Sequence, residues 1–154
     1  RGMSEESDAR LMAEISARLL AASARALGPW VETAVAQRAG DRAAELASAA
    51  TAAGERCAEE VPATMTSLLA LDIDAQRTTP LGILRSACRY PAAVLAAAGV
   101  PAPSRDPFDE RANPDDRYEV GPATWADLGE EVGELGIAWG AAKAHLHKRR
   151  HLGR

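Results

Sequence analysis

The chain has 154 residues, enough for one domain with a core of its own and too few for two comfortable ones. Hydrophobic residues make up 47%, but 35 residues are alanine and aromatics reach only 4%, which excludes a core built on large side chains. The net charge of −4 excludes a global basic field that would draw the whole chain to nucleic acid or an acidic membrane.

Alanine loses no rotamer freedom in a helix, so the composition alone predicts a mostly helical fold. A first helix is predicted over residues 5–27. Ser4 or Ser7 supplies its cap, and Glu5, Glu6 and Asp8 suit its positive end. Met12, Ile15, Leu19, Ala22 and Ala26 recur at spacings of 3, 4, 3 and 4, an apolar seam of coiled-coil type. Glu14 and Arg18 form an i,i+4 pair in the favourable order. Gly28-Pro29 is expected to stop this helix and start a short one reaching Ala39, with Trp30, Val31, Ala34 and Val35 inward. Gly40 ends it.

Asp41 is the expected cap of the longest segment, residues 42–71. Its stripe is Leu46, Ala50, Ala53, Cys57, Val61, Met65 and Leu68. Pro62 removes one backbone bond from that segment and predicts a kink or a break. Met65 reads as core packing rather than as a ligand. Cys57 and Cys88 have no CxxC spacing and lie on apolar stripes, so they read as reduced core thiols; a disulfide or redox role stays open. Residues 72–80 punctuate the chain. Thr79-Pro80 then opens a helix with Leu81, Leu84 and Cys88 on one face. Pro91 is expected to interrupt it, and a second short helix runs from Ala92 to Ala98 before Gly99.

Residues 100–123 differ in kind. They hold five of the nine prolines, with six acids alternating with three arginines. A loop of this length is either functional or wraps the surface. Phe108 and Tyr118 read as anchors pinning it to the bundle. Thr124 with Asp127 resembles a capping box, so helix resumes at Trp125. Trp125, Leu128, Val132, Leu135, Trp139, Ala142 and Leu146 form the last apolar stripe, beside Gly129, Gly133, Gly136 and Gly140. Each interior glycine costs about 1 kcal/mol relative to alanine. Those costs predict a break between Gly133 and Gly136, with helices at 125–132 and 137–150. The alternative is one helix whose glycines admit a close neighbour.

The three histidines fall at 145, 147 and 151, with no cysteine nearby and no HExxH. Zinc wants four convergent ligands, so no metal site is expected, and the histidines read as the polar end of a helix. Residues 141–154 contain five Lys or Arg and no acid, which leaves the rest of the chain at 13 basic and 22 acidic residues. That asymmetry marks Lys143, Lys148, Arg149 and Arg150 as a candidate nucleic-acid contact within a basic tail, 143–154. No aromatics interleave with the cations, so base stacking is unsupported. The same tail could instead meet the acidic 106–119 stretch of its own chain or of another copy. Residues 92–106 resemble a helix-turn-helix superficially, but Pro101, Pro103 and Pro107 defeat a recognition helix. No GxGxxG, P-loop, GxSxG or ExxH motif occurs. Glu14, Glu45, Glu59 and Glu60 sit off the apolar stripes and read as solvated.

The stretch RTTPLGILRSACRYPAAVLAAAGVPAPSRDPFDERANPDD, followed by WGAAKAHLHKRR, resembles a family of small helical hypothetical proteins from high-GC bacteria, over roughly the C-terminal half. No activity is carried over from it. The resemblance implies that residues 77–120 and the WGAAKA helix belong to one folded unit. In that unit Arg77, Arg85, Arg89, Tyr90 and Arg105 line a polar surface shared with Asp106, Asp115 and Asp116, or the same charges fasten the loop as a salt-bridge network.

The expectation is therefore a single all-α domain, 1–154: a bundle of about four main helices (5–27, 42–71, 80–98 and 137–150) plus short ones, with the proline-rich loop 100–123 outside. A non-enzymatic interaction or regulatory protein is expected, self-associating as a homodimer because alanine-faced helices leave little core per chain. Two alternatives stay open. One is a nucleic-acid-associated factor using the tail. The other is a small enzyme or ligand-binding protein with a pocket under the loop, lined by Arg85, Arg89, Tyr90 and Arg105. No cofactor is expected. The polar N-terminus lacks the order of a signal peptide, and the longest apolar run, Ala92 to Val100, is far short of the ~20 residues of a bilayer span, so a cytoplasmic location is expected.

Overall fold

In the computed structural model the described residues are 2–69, 84, 86–101 and 125–152. Among them every regular element is helical: α1 (Gly2–Ala39), α2 (Ala43–Leu69), α3 (Arg89–Ala97) and α4 (Glu130–Leu152), with 3-10 turns at Gly40–Arg42, Ser86–Cys88 and Trp125–Leu128. The four expected main helices become three long ones and one of nine residues. Most of loop 100–123, with Phe108 and Tyr118, lies outside the described residues. No described helix is long and apolar enough to cross a membrane.

The expected stop at Gly28-Pro29 does not occur. α1 runs unbroken for 38 residues, about 57 Å at the usual rise. Pro29 cannot donate to the Arg25 carbonyl, a loss that ordinarily kinks or breaks a helix. Two features offset it. Gly28 has no Cβ to collide with the proline ring, so it can stay helical. Leu27, Val31 and Val35 on either side of the proline are buried in one core, and Ala34 is buried too. Tertiary packing therefore holds a helix that local preference would end.

Gly40, at φ 55°, turns the chain back, and the Gly40–Arg42 turn leads straight into α2. Asp41, the expected cap, lies inside that turn. α2 buries Leu46, Ala50, Ala53, Cys57, Val61 and Met65 along one face, six of the seven stripe positions; the Leu68 side chain lies outside the described residues. Pro62 produces no break: it is itself buried, between Val61 and Met65, inside the continuous helix. α2 lies antiparallel to α1. The Thr51 hydroxyl donates to the Glu32 carboxylate at 2.6 Å, and further along Gly28 and Gly54 come into contact.

α3 packs against both α1 and α2. Pro91 does not interrupt it. It is the third residue, where the backbone amide has no helical acceptor in any case. The helix closes as a Schellman motif on Gly99 at φ 73°. Gly99 N–H donates to the Ala96 carbonyl at 3.0 Å and Val100 N–H to the Leu95 carbonyl at 2.9 Å. Val100 is half-buried against the core cluster to which Leu95 belongs.

α4 also runs antiparallel to α1, and the break expected between Gly133 and Gly136 is absent. The interruption falls earlier, at Gly129, whose φ of 121° separates the Trp125–Leu128 turn from α4. A Cβ on Gly136 would lie 2.2 Å from the Trp125 ring, and one on Gly133 would lie 3.0 Å from Ala126 Cα. These glycines make room for the preceding turn, whose indole folds back onto the helix and compensates their low helix propensity. Leu128, Val132, Leu135, Trp139 and Leu146 face α1. α1 thus lies among the other three helices, which is why it buries residues on several sides, Ser16 and Ser23 included.

Candidate functional site

Two polar groupings come from the sequence reading: the Arg85, Arg89, Tyr90, Arg105 set and the cations of the C-terminal helix. Arg89 and Tyr90 open α3, where the Ser86–Cys88 turn delivers the chain onto α2. The Tyr90 ring is 7% exposed and its hydroxyl donates to the Glu60 carboxylate of α2. The same oxygen accepts from Arg89 Nη2 at 3.1 Å, and the Arg89 guanidinium carbon sits 5.0 Å from the Tyr90 ring centroid. Guanidinium, phenol and carboxylate therefore form one chain from α3 to α2.

Burial, seconded by the bond to Glu60, pushes the Tyr90 phenol above its ordinary pKa of 10.0, while Arg89 pulls the other way. At neutral pH the phenol is a hydrogen-bond donor, not a base. Cys57 lies one turn before Glu60 and is fully buried. Burial drives its thiol up to about 12; Arg89 opposes this and Glu60 adds to it. A thiol so placed stays protonated and is a poor nucleophile. Cys88 is buried as well, and the two cysteines form no disulfide. The chemistry available here is fastening: a phenol holds two helices together through a carboxylate.

Arg85 and Arg105 lie outside the described residues, as do Asp106, Asp115 and Asp116, and so does the pocket expected beneath the loop. Of the four predicted ligand contacts the structure brings together Arg89 and Tyr90. Glu60, expected from its place off the apolar stripe to be solvated, is the third member of this hydrogen-bonded chain. Glu60 is exposed, yet it is the acceptor that ties α3 down. Its one signal in the sequence is position: three residues after Cys57 and next to Val61, it flanks the buried stripe.

The basic segment is helix through Leu152, docked on α1. Arg149 Nη1 lies 3.0 Å from the Asp8 carboxylate. Lys143 Nζ sits 5.3 Å from the Trp139 ring centroid, a cation–π distance. Lys148 is exposed, and the Arg150 side chain lies outside the described residues. Two of the four predicted nucleic-acid cations are thus engaged inside the chain. Midway along the same seam the Trp139 indole N–H donates to Ser16 Oγ at 3.0 Å, a buried bond, and at the other end Arg25 Nη2 meets Glu131 at 2.7 Å. His145 is exposed and His147 half-buried. Among the described residues no group of three His, Cys, Asp or Glu side chains could hold a metal ion.

No known protein family matches the chain, and no curated protein or solved structure matches it significantly.

Proposed function

We propose that this protein is a non-enzymatic helical interaction or regulatory module that works by self-association, as a homodimer. The observation that carries the reading is a division of labour among side chains. Arg89 and Tyr90, the described residues best suited to ligand chemistry, join with Glu60 in binding α3 to α2. Meanwhile, among the described residues, the most exposed large apolar side chain is Ile137 of α4, at 72%. A chain that commits its polar chemistry internally and presents a bare isoleucine is suited to contact with protein rather than to turnover. Two buried cysteines that form no disulfide favour a reducing, cytoplasmic setting.

Sedimentation velocity of the full chain over a dilution series tests this. The expected result is a dimer at high concentration that dissociates on dilution. A monomer throughout overturns the self-association. A salt-dependent complex with duplex DNA that is lost in Lys148→Ala turns the reading toward nucleic acid instead.

A further inference from the structure

The outward side of α4 carries a regular stripe: Glu130, Glu134, Ile137, Ala141, Ala144 and Lys148, all exposed. The spacings are 4, 3, 4, 3 and 4, the period of a helix–helix seam, and they read the same in either direction. α4 already has its inward stripe against α1, so this second seam is not needed to fold the chain.

We infer that a second copy of this chain docks on that stripe, α4 against α4, antiparallel about a two-fold axis. The inference rests on the self-association proposed above and names its surface. Because the spacing is symmetric on reversal, an antiparallel copy sets every stripe residue opposite another. Glu130 faces Lys148 of the second copy, Ile137 lies over its Ala141, and the Glu134 stem lies along its Ala144. The same contacts repeat across the axis, as an isologous interface requires.

Charge complementarity selects this occupant. Residues 130–142 of α4 carry three acids and no base, while residues 143–150 carry four bases and no acid. A parallel copy would set acid against acid and base against base; an antiparallel copy sets acid against base at both ends. The helix dipoles then also oppose one another. At the centre a large side chain meets a small one, and the alanines let the axes approach closely. The seam spans about 27 Å, one helix face, so the interface is at the small end of specific pairs and the dimer is reversible on dilution.

The charge segregation has another use, since acids at a helix start and bases at its end suit the macrodipole of a lone helix. One set of variants separates the two. Sedimentation velocity is run on the wild-type chain, Ile137→Lys, Glu130→Lys, Lys148→Glu and the double reversal Glu130→Lys with Lys148→Glu, each checked by circular dichroism for retained helix. Ile137→Lys is expected to weaken the dimer about a hundredfold, because it places two ammonium groups in the apolar centre. Each single reversal is expected to weaken it about tenfold, and the double reversal to recover most of that loss. A dimer indifferent to Ile137→Lys overturns this surface while leaving self-association standing. A double reversal no tighter than the single variants also overturns it, leaving the charges to the helix dipole. A monomeric wild-type chain overturns both readings at once.

Discussion

Gly28 of α1 and Gly54 of α2 meet backbone to backbone, and the contact is unequal. A Cβ built on Gly54 would lie 2.9 Å from the Gly28 carbonyl oxygen, whereas one built on Gly28 would lie 3.6 Å from the Gly54 oxygen. Only Gly54 sits where a methyl group must push the helices apart. Backbone atoms cannot rotate away as a side-chain tip can, so the strain spreads into the packing of Leu27, Val31 and Ala50 on either side.

Gly54→Ala is therefore expected to destabilise the chain by about 1–3 kcal/mol, after the gain in helix propensity is counted. For a chain of this size each kcal/mol moves the midpoint by about 2–4 °C. Gly28→Ala makes only an ordinary contact across the crossing, and its cost comes instead from the Pro29 ring, which a Cβ there meets in the helical conformation. Thermal melts followed by circular dichroism check the loss in Gly54→Ala. A Gly54→Ala midpoint at or above that of the wild-type chain contradicts the close approach.

Gly136 and Gly140 lie one turn apart on α4 and should respond with opposite sign. At Gly136 a methyl would occupy the Trp125 ring, which must then leave the helix, so Gly136→Ala is expected to lower stability by about 1–3 kcal/mol. At Gly140 nothing lies within 4 Å of the added carbon. Gly140→Ala is thus a pure gain in helix propensity, expected to raise stability by about 1 kcal/mol. Urea unfolding of both variants reads the two signs. Tryptophan emission of Gly136→Ala should shift to the red as Trp125 becomes solvated.

Alkaline pH should loosen the α2–α3 contact through Cys57. Its folded pKa is raised, from an ordinary 9.0 to about 12, so the folded chain keeps a proton that the unfolded chain has lost across that interval. Proton uptake by the folded state means that stability is full below pH 9 and falls as pH rises toward 12. Tyr90, raised from 10.0, acts in the same sense at the upper end. Cys57→Ala is expected to be less stable at neutral pH, by about 1–2 kcal/mol for the lost buried sulfur, yet to show a flatter decline above pH 9. Denaturant midpoints of the two chains across this range decide it. Parallel declines would assign the alkaline loss elsewhere.

How far the residue pattern revealed the molecule depends on how many neighbours each helix has. α2 turns one face to the core, so its 3-and-4 spacing names Leu46, Ala50, Ala53, Cys57, Val61 and Met65 directly. α1 lies among three helices and buries Ser16 and Ser23 with its leucines, so a single stripe undercounts it. The breaks expected at Gly28-Pro29 and at Gly133 to Gly136 follow from local cost, which is where tertiary contact intervenes. The Gly54 backbone and the Trp125 ring each fill the space that those glycines leave. Gly40 and Gly99 did mark chain turns, because positive φ is a local demand that no distant contact replaces; Gly129, expected inside a helix over 125–132, turns the chain as well. At the candidate site Arg89 and Tyr90 were legible as neighbours in sequence. Glu60 was not, since its pairing with Tyr90 spans 30 residues and no local rule links them.

Ser16 and Ser23, two turns apart on α1, are both buried, and replacing each with alanine should move stability in opposite directions. Ser16 Oγ accepts the Trp139 indole proton at 3.0 Å in the α1–α4 seam. Without it the N–H loses its partner in a buried seam, because alanine offers no acceptor. Ser16→Ala is expected to cost about 1–3 kcal/mol. Ser23 Oγ is fully buried and has no hydrogen-bond partner among the described residues. A buried hydroxyl without a partner costs free energy, and alanine is the better helix former, so Ser23→Ala is expected to stabilise the chain by about 1 kcal/mol. A double-mutant cycle between Ser16→Ala and Trp139→Phe isolates the seam bond, since phenylalanine keeps most of the ring and removes the donor. A coupling energy near zero would assign the Ser16 cost to packing rather than to the bond. A loss of stability in Ser23→Ala would mean that its hydroxyl is held by an ordered water between the helices, detectable as slowed exchange of that proton.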